Sequence, residues 1–163
     1  MLNILQEFSF PKNCNRKNIM NEDDDEYRGM ALGLVRKWTP RWEISECNKL
    51  KVPKYRELYE KTKEYFKLNC PEPDFEYTTI QYNKNQKCAK HIDKNNIGDS
   101  YIIGFGDYTG GELIVYDKDD TPTMVDIKNK FFKFNGALNY HETNDFEGER
   151  YSLVFYKILI SDD

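Results

Sequence analysis

The residues most able to do chemistry in this sequence are its two histidines and an aspartate close to one of them. His91 and Asp93 are separated by a single residue. In a β-strand, side chains at positions i and i+2 point to the same face, so an imidazole nitrogen and a carboxylate oxygen here can bind one metal ion. His141 comes much later in the chain and can return beside them. The pattern predicts a metal site formed by His91, Asp93 and His141.

A second pair of polar residues follows His141. Arg150 and Ser152 share one face if their segment is a strand. A guanidinium binds a carboxylate through two charge-assisted hydrogen bonds, and a hydroxyl adds a third donor. Because a buried arginine is costly without an anionic partner, the pair indicates a carboxylate receptor inside a barrel. Two histidines and one carboxylate leave open positions on a metal, which is the ligand set of ferrous sites that bind dioxygen.

One helix is predicted ahead of these residues. It begins near Pro53 and ends by Asn69, where the sequence Asn-Cys-Pro-Glu-Pro stops it because proline cannot continue a helix. Apolar residues recur along it at the spacing of one helical face. Residues 31–35 read as a short strand, whereas residues 1–30 read as polar and irregular, with a solvated acidic loop from Glu22 to Glu26.

The remainder of the chain changes to short β-rich segments separated by Gly, Asn and Asp. Strands are predicted in residues 75–82, 89–93, 100–105, 112–116, 123–127, 130–135 and 150–160. Short strands at this spacing favour a mainly β sandwich or barrel that carries a helix on one side. The sequence contains no repeat or linker, so residues 1–163 are predicted to form one domain, with its core at about 75–160 and residues 1–74 as an extension containing the helix.

Taken together, the motifs resemble those of the Fe(II)/2-oxoglutarate-dependent dioxygenases, and in particular the prolyl-hydroxylase-like branch. The resemblance rests on His91-x-Asp93, His141 and Arg150-x-Ser152, in this order and spacing. It implies a double-stranded β-helix, a jelly-roll or cupin-like fold with supporting helices. It also implies that the two histidines and the aspartate hold Fe(II), and that Arg150 and Ser152 bind the distal carboxylate of 2-oxoglutarate.

The same resemblance extends to two further features. Tyr82 precedes His91 by nine residues, where prolyl-hydroxylase-like members often carry a cosubstrate-binding tyrosine; core packing is the alternative. Gly110-Gly111-Glu112-Leu113 is similar to the entry into a central strand of prolyl-hydroxylase-like and thymine-oxidising members, and the glycines by themselves indicate a tight turn. Collagen-type prolyl hydroxylases hold 2-oxoglutarate with a lysine, whereas this chain offers Arg150.

The implied activity is hydroxylation of a C–H bond with O2 and 2-oxoglutarate as cosubstrates and with release of succinate and CO2. A protein or peptide side chain such as proline is the favoured substrate. The net charge of −4 and the pI of about 5.3 do not favour nucleic acid. Nucleobase oxidation stays open because lysines flank His91, at positions Lys84, Lys87, Lys90 and Lys94. Trp38 and Trp42 could stack on a base, although packing of the helix against the sheet is preferred.

Other classes of function fit the sequence less well. A non-catalytic binding module on the same barrel would leave the metal ligands and Arg150 without a role. A zinc hydrolase could use the same three ligands, and it too would leave Arg150 and Ser152 unexplained. No nucleophile-elbow motif supports serine or cysteine catalysis.

The compartment is inferred from what the sequence lacks. Its four cysteines form no Cys-x-x-Cys pair and are widely spaced, which favours reduced packing residues. No signal peptide and no apolar stretch of membrane-spanning length is present. We therefore expect a cytoplasmic or nuclear protein with no membrane partner.

Overall fold

The computed structural model describes residues 1–12, 28–38 and 40–159. The helices are α1 (Leu2–Glu7), a 3-10 helix (Asn48–Lys51) and α2 (Pro53–Asn69). The strands are β1 (Arg28–Trp38), β2 (Trp42–Glu46), β3 (Thr79–Lys84), β4 (Ser100–Gly110), β5 (Leu113–Tyr116), β6 (Pro122–Val125), β7 (Phe132–Phe134), β8 (His141–Thr143) and β9 (Phe146–Tyr156). The acidic segment Glu22–Glu26, Cys14 and the end of the last predicted strand lie outside the described residues.

Two antiparallel sheets form the body of the protein, as the predicted mainly β fold requires. The larger sheet has six strands in the order β2-β1-β3-β9-β4-β7, and the smaller has three in the order β6-β5-β8. An isolated antiparallel bridge between His91 and His141 extends the smaller sheet beyond β8. Residues of both sheets line one cavity, so the cavity lies between them.

One face of strand β9 packs into the core and the other lines the cavity, and this places the polar residues of β9 at the site. Its apolar residues Tyr151, Leu153 and Phe155 are buried in the main core. The intervening Arg150 and Ser152 line the cavity, together with Val154 and Tyr156. This alternation follows from the period of two along a strand. It confirms the shared face predicted for Arg150 and Ser152.

Helix α2 covers the core face of the larger sheet, and its predicted bounds are confirmed. Proline is compatible with its first turn because that turn needs no backbone donor. Leu58, Thr62 and Phe66 recur at intervals of four residues and are buried. The ring of Phe66 packs against Phe155 of β9, with the ring centroids 4.6 Å apart. The helix thus supports β9 from behind, on the side away from the cavity.

Several local expectations are wrong. The segment predicted to be irregular contains α1, whose Leu5 is fully buried. Residues 89–93 do not form a regular strand, since only the bridge at His91 pairs them with β8. Trp38 and Trp42 do not pack α2 against the sheet; they are 65% and 58% exposed at the end of the β1–β2 hairpin. Strands β2 and β8 were not anticipated.

Cys47 and Cys70 are free thiols. Cys47 and Cys70 are buried, as expected of packing residues, and Cys88 is half-buried beside the cavity. Within the described residues, no helix combines the length and apolar character needed to cross a membrane.

Candidate metal centre and carboxylate pocket

The cavity between the sheets has a volume of about 540 Å³ and gathers five of the six residues singled out in the sequence. His91, Asp93 and His141 line it from the smaller sheet and its edge. Arg150 and Ser152 line it from β9. The predicted metal site and the predicted carboxylate receptor therefore share one cavity.

The two histidines and the aspartate form a tight cluster. Asp93 Oδ1 lies 3.4 Å from His91 Nε2, and Asp93 Oδ2 lies 3.2 Å from His141 Nε2. One potential ligand atom from each of the three residues lies within 4.8 Å of the other two. Distances of this size allow a single ion to contact all three residues.

Backbone pairing brings these residues together. His91 and His141 exchange both backbone hydrogen bonds, each with an N···O distance of 3.0 Å. The Asp93 N–H donates to the carbonyl of Gly136 at 2.8 Å, which fixes Asp93 against the loop before β8. The placement therefore does not need the regular strand that the sequence suggested for residues 89–93, since one bridge and one loop contact suffice.

Both imidazole rings are oriented by the backbone. His91 Nδ1 lies 2.7 Å from the carbonyl of Ala89, and His141 Nδ1 lies 2.9 Å from the carbonyl of Asn139. Because a carbonyl only accepts, each Nδ1 carries the proton, and a neutral ring then presents a bare lone pair at Nε2. Metal-binding histidines are held in this way by their other nitrogen.

The donor set fits a cation. Burial by itself raises the pKa of Asp93, but hydrogen bonds and charge attraction from His141 and His91, which require a proton at each Nε2 in place of a cation, outweigh it and hold the pKa below its ordinary value. The group is therefore an ionised carboxylate facing two imidazole nitrogens. With neutral rings, three electron-pair donors converge and need either a shared cation or added protons. Nitrogen and oxygen ligands of this kind suit ferrous iron.

Arg150 places a positive charge in the cavity. Its side chain is 3% exposed, and its Nε–H donates to the Gly111 carbonyl at 3.2 Å. The guanidinium carbon lies 5.7 Å from the ring centroid of Tyr108 and 5.6 Å from that of Phe146. Burial lowers the pKa of Arg150. The guanidinium nevertheless stays charged, because its ordinary pKa is very high.

No carboxylate in the described part of the chain lies within ion-pair distance of Arg150. A buried, unpaired cation is costly, and an anionic ligand would remove that cost. The surroundings of Arg150 are thus those expected of a receptor for a ligand carboxylate.

A row of buried polar side chains continues from Ser152. Asn83 Nδ2 donates to Ser152 Oγ at 3.1 Å, and Gln81 Nε2 donates to Asn83 Oδ1 at 3.1 Å. Both amide residues line the cavity, and sequence analysis missed them. The available signal was the strand period of two, since Gln81 and Asn83 flank Tyr82 and must face the other way.

The structure corrects the expectation for Tyr82. This residue is fully buried in the main core, and its hydroxyl donates to Thr62 Oγ1 of α2 at 2.8 Å. It lies on the face of β3 away from the cavity, so its position does not suit cosubstrate binding. The alternative of core packing describes it correctly.

Replacing Tyr82 with Phe should therefore affect stability and not ligand binding. Loss of the hydrogen bond to Thr62 should lower the free energy of unfolding by about 1 kcal/mol. The affinity for 2-oxoglutarate should stay within about twofold of the parent, because the tyrosine faces the core. Denaturant melts and calorimetric titration measure the two quantities. A large loss of affinity at unchanged stability would contradict this placement.

Gly136 is a second residue that the sequence did not reveal. A Cβ atom built on it would lie 3.0 Å from Asp93 Oδ2 and 3.1 Å from His141 Cε1. Any larger side chain must therefore displace two members of the cluster. The contact joins residues far apart in sequence, so no local pattern announces it.

We expect Gly136→Ala to weaken metal binding by about tenfold. Displacing the side chains of Asp93 and His141 should reduce metal affinity about as much as removing a contact that orients a metal ligand. Gly98→Ala is the matched control. It has φ of +70° and open space around its Cβ position, so it should lower stability and leave metal affinity unchanged. Titration with Mn²⁺ measures both variants. Equal metal affinities for the two would contradict the close approach at Gly136.

Two of the four lysines that flank His91 are paired with carboxylates. Lys87 pairs with Asp145, and Lys90 pairs with Asp120 at 2.6 Å while lying over the ring of Tyr116. The lysines near His91 thus form a less positive rim than their number in the sequence suggests.

The hairpin tryptophans, Trp38 and Trp42, pack edge to face with ring centroids 5.4 Å apart.

Comparisons with known proteins identify the fold. No family model and no curated protein matches the sequence. A 2OG-Fe(II) oxygenase family oxidoreductase from Burkholderia pseudomallei matches over 94% of this chain and 75% of its own, at 14% identity and a TM-score of 0.61.

Two further solved structures have the same fold. A prolyl hydroxylase from Trichoplax adhaerens, in complex with a hypoxia inducible factor peptide fragment, matches over 96% of this chain and 74% of its own, at 12% identity and a TM-score of 0.54. NgTET1 in complex with 5mC DNA matches over 80% of this chain at 15% identity and a TM-score of 0.53, and this chain spans 60% of its length. The chain therefore has the double-stranded β-helix fold of the 2OG-Fe(II) oxygenases.

Proposed function

We propose that this protein is an Fe(II)- and 2-oxoglutarate-dependent oxygenase that hydroxylates a C–H bond and releases succinate and CO2. The observation that carries the proposal is a single cavity that contains both a set of side chains suited to bind a cation and a side chain suited to bind an anion. A cluster of electron-pair donors needs a cation, and a buried arginine for which the described residues provide no carboxylate partner needs an anion. A metal ion and a diacid that bridges to Arg150 would satisfy both together.

Each residue has a distinct part in this proposal. His91, Asp93 and His141 would hold the ferrous ion through Nε2 and carboxylate oxygen atoms. A bound ferrous ion would supply dioxygen activation coupled to oxidative decarboxylation of 2-oxoglutarate. Arg150 and Ser152 would hold the far carboxylate and thereby fix the direction in which the diacid enters the cavity.

Apolar side chains give the cavity a dry section. Ile102, Leu113 and Phe134 are buried in one cluster and also line the cavity. They come from three strands of both sheets, so they would exclude water beside the reacting groups. Water exclusion strengthens the electrostatic interactions of Arg150 and protects reactive species from side reactions.

A protein or peptide side chain, such as proline, is the substrate class that the charges favour. The chain carries a net charge of −4, and two lysines near the cavity, Lys87 and Lys90, are paired with acidic side chains. A phosphate backbone needs a stripe of uncompensated cations, and these pairs remove part of that attraction. The prolyl hydroxylase from Trichoplax adhaerens, which shares the fold, is in complex with a peptide.

A nucleic acid substrate is the second candidate, and the exposed Trp38–Trp42 pair favours it. Exposed aromatic rings offer stacking surfaces for unpaired bases. If bases stack there, changing both tryptophans to alanine should weaken binding of a single-stranded oligonucleotide by about tenfold or more. Fluorescence anisotropy at two salt concentrations measures this. Binding to a peptide library without oligonucleotide binding would instead support the first candidate.

The activity itself is tested by anaerobic loading with Fe(II), addition of 2-oxoglutarate and air, and quantification of succinate. We expect succinate to form only when Fe(II), 2-oxoglutarate and O2 are all present. Screening peptides and oligonucleotides for the mass gain of one oxygen atom then identifies the substrate class. A protein that binds a ligand in this cavity but never forms succinate would be a non-catalytic module.

A further inference from the structure

Gln86 is a buried residue with an unusual deficit of hydrogen bonds. It follows β3, is 1% exposed and lines the same cavity as Arg150. Among the described residues, neither its Oε1 nor its Nε2 has a hydrogen-bond partner. A buried amide left without partners destabilises a protein, so a residue of this kind calls for an explanation.

The backbone next to Gln86 is tied to Arg150. The Asn85 N–H donates to the Arg150 carbonyl at 2.7 Å, and the Arg150 N–H donates to Asn85 Oδ1 at 2.9 Å. Asn85 has φ of +54°, a left-handed conformation that asparagine tolerates better than most residues. It ends the ladder of β3 and holds the following residue beside the arginine.

Two neighbouring cavity residues therefore lack the partners that their chemistry requires. Arg150 lacks a carboxylate among the described residues, and Gln86 lacks both a donor and an acceptor. By contrast, Gln81 lines the same cavity, and its Nε2 has two acceptors within 3.1 Å, Asn83 Oδ1 and the Tyr82 carbonyl. Among the described residues that line the cavity, Gln86 is thus the one whose buried side-chain polar atoms lack partners.

We infer that Gln86 is part of the cosubstrate receptor and completes it together with Arg150 and Ser152. Its Nε2–H donates to the distal carboxylate of the bound diacid, and its Oε1 accepts from a water that hydrates that carboxylate. The inference rests on the proposed function, and it adds a residue that selects a ligand with a carboxylate at this end. The cost of the unpaired amide in the free protein is offset when the ligand binds.

Gln86→Met tests this inference, because methionine has a similar length and no amide. The affinity of the Mn²⁺-loaded protein for 2-oxoglutarate should fall by about tenfold or more, as for loss of a hydrogen bond to a charged group. At the same time, the melting temperature of the ligand-free protein should rise, since the unpaired amide is gone. A residue with only a structural role would lower the melting temperature.

Two further variants sharpen the test. Gln86→Glu places a carboxylate next to Arg150, so it should compete with the ligand and weaken 2-oxoglutarate binding by about a hundredfold or more. Gln81→Met is the matched control, since it removes an amide whose hydrogen bonds are made. We expect its melting temperature to fall, opposite to that of Gln86→Met.

The outcomes separate the two levels of the proposal. Parent protein that binds 2-oxoglutarate, together with a Gln86→Met variant of unchanged affinity, would overturn the role of Gln86 and leave the proposed function standing. A lowered melting temperature of ligand-free Gln86→Met would also overturn it. Parent protein that binds no 2-oxoglutarate with Mn²⁺ present would overturn the proposed function itself.

Discussion

Arg150→Met should weaken binding of 2-oxoglutarate by about a hundredfold or more, the effect of removing one partner of a buried charge pair. Methionine keeps most of the aliphatic length of the side chain and removes the guanidinium, whose carbon lies 5.7 Å from the Tyr108 ring centroid and 5.6 Å from that of Phe146. It removes the buried charge for which the described residues provide no carboxylate, so the ligand-free protein should melt no lower than the parent. Calorimetric titration of the Mn²⁺-loaded protein measures the affinity.

Two controls isolate the geometry of the guanidinium. Arg150→Lys keeps the charge but loses the two-pronged contact, so it should fall between the parent and Arg150→Met. Arg28→Met removes an exposed arginine of β1 and should change nothing at the site. An Arg150→Met variant that consumes 2-oxoglutarate with an unchanged half-saturation would show that the cosubstrate lies elsewhere.

Asp93→Ala should abolish metal binding at the cluster. Loss of contacts that merely orient a metal ligand weakens affinity by about 10–100-fold, so loss of the only carboxylate ligand should cost about a hundredfold or more. His91→Ala should have a comparable effect, because the remaining two donors cannot surround an ion. Titration with Mn²⁺, followed by the electron paramagnetic resonance of the free ion, measures the affinity directly.

The matched control for this prediction is Asp107→Ala. Asp107 is an exposed carboxylate on β4, outside the cavity. The control should bind Mn²⁺ as the parent does, which excludes a general effect of lost negative charge. Equal metal affinities for Asp93→Ala and Asp107→Ala would show that the cluster of His91, Asp93 and His141 does not bind the metal.

Strand periodicity predicted one wall of the site well. The residues Arg150 and Ser152 were assigned to one face of a strand, and β9 places them on the cavity side while Leu153 enters the core. The helix from Pro53 was equally clear, because a proline start, an amphipathic pattern and a proline-rich stop agree. Local signals that reinforce one another are the ones that a sequence can carry.

Counting residues between motifs was less dependable than counting strand faces. Tyr82 lies at the expected distance from His91 in sequence, yet the alternation of β3 turns it into the core. The left-handed Asn85 also breaks the register between β3 and the histidine segment. The number of residues between two motifs does not reveal such a turn. The alternation of side chains along β3, by contrast, would have assigned Gln81 and Asn83 to the cavity face.

Other features depended on contacts between distant parts of the chain. Helix α1 has six residues, too few to be stable alone, and Leu5 is buried by the core that it joins. The histidine bridge and the approach of Gly136 to Asp93 link segments that are remote in sequence. The unpaired amide of Gln86 is visible only when its surroundings are known.

The most direct test of the central claim is a titration of 2-oxoglutarate into the protein with and without Mn²⁺. If one cavity holds the metal and the diacid together, the metal should strengthen 2-oxoglutarate binding, and the same gain should appear in the reverse titration by linkage. Asp93→Ala should remove the gain, while Arg150→Met should still bind Mn²⁺. Binding of 2-oxoglutarate that is indifferent to the metal would contradict the account.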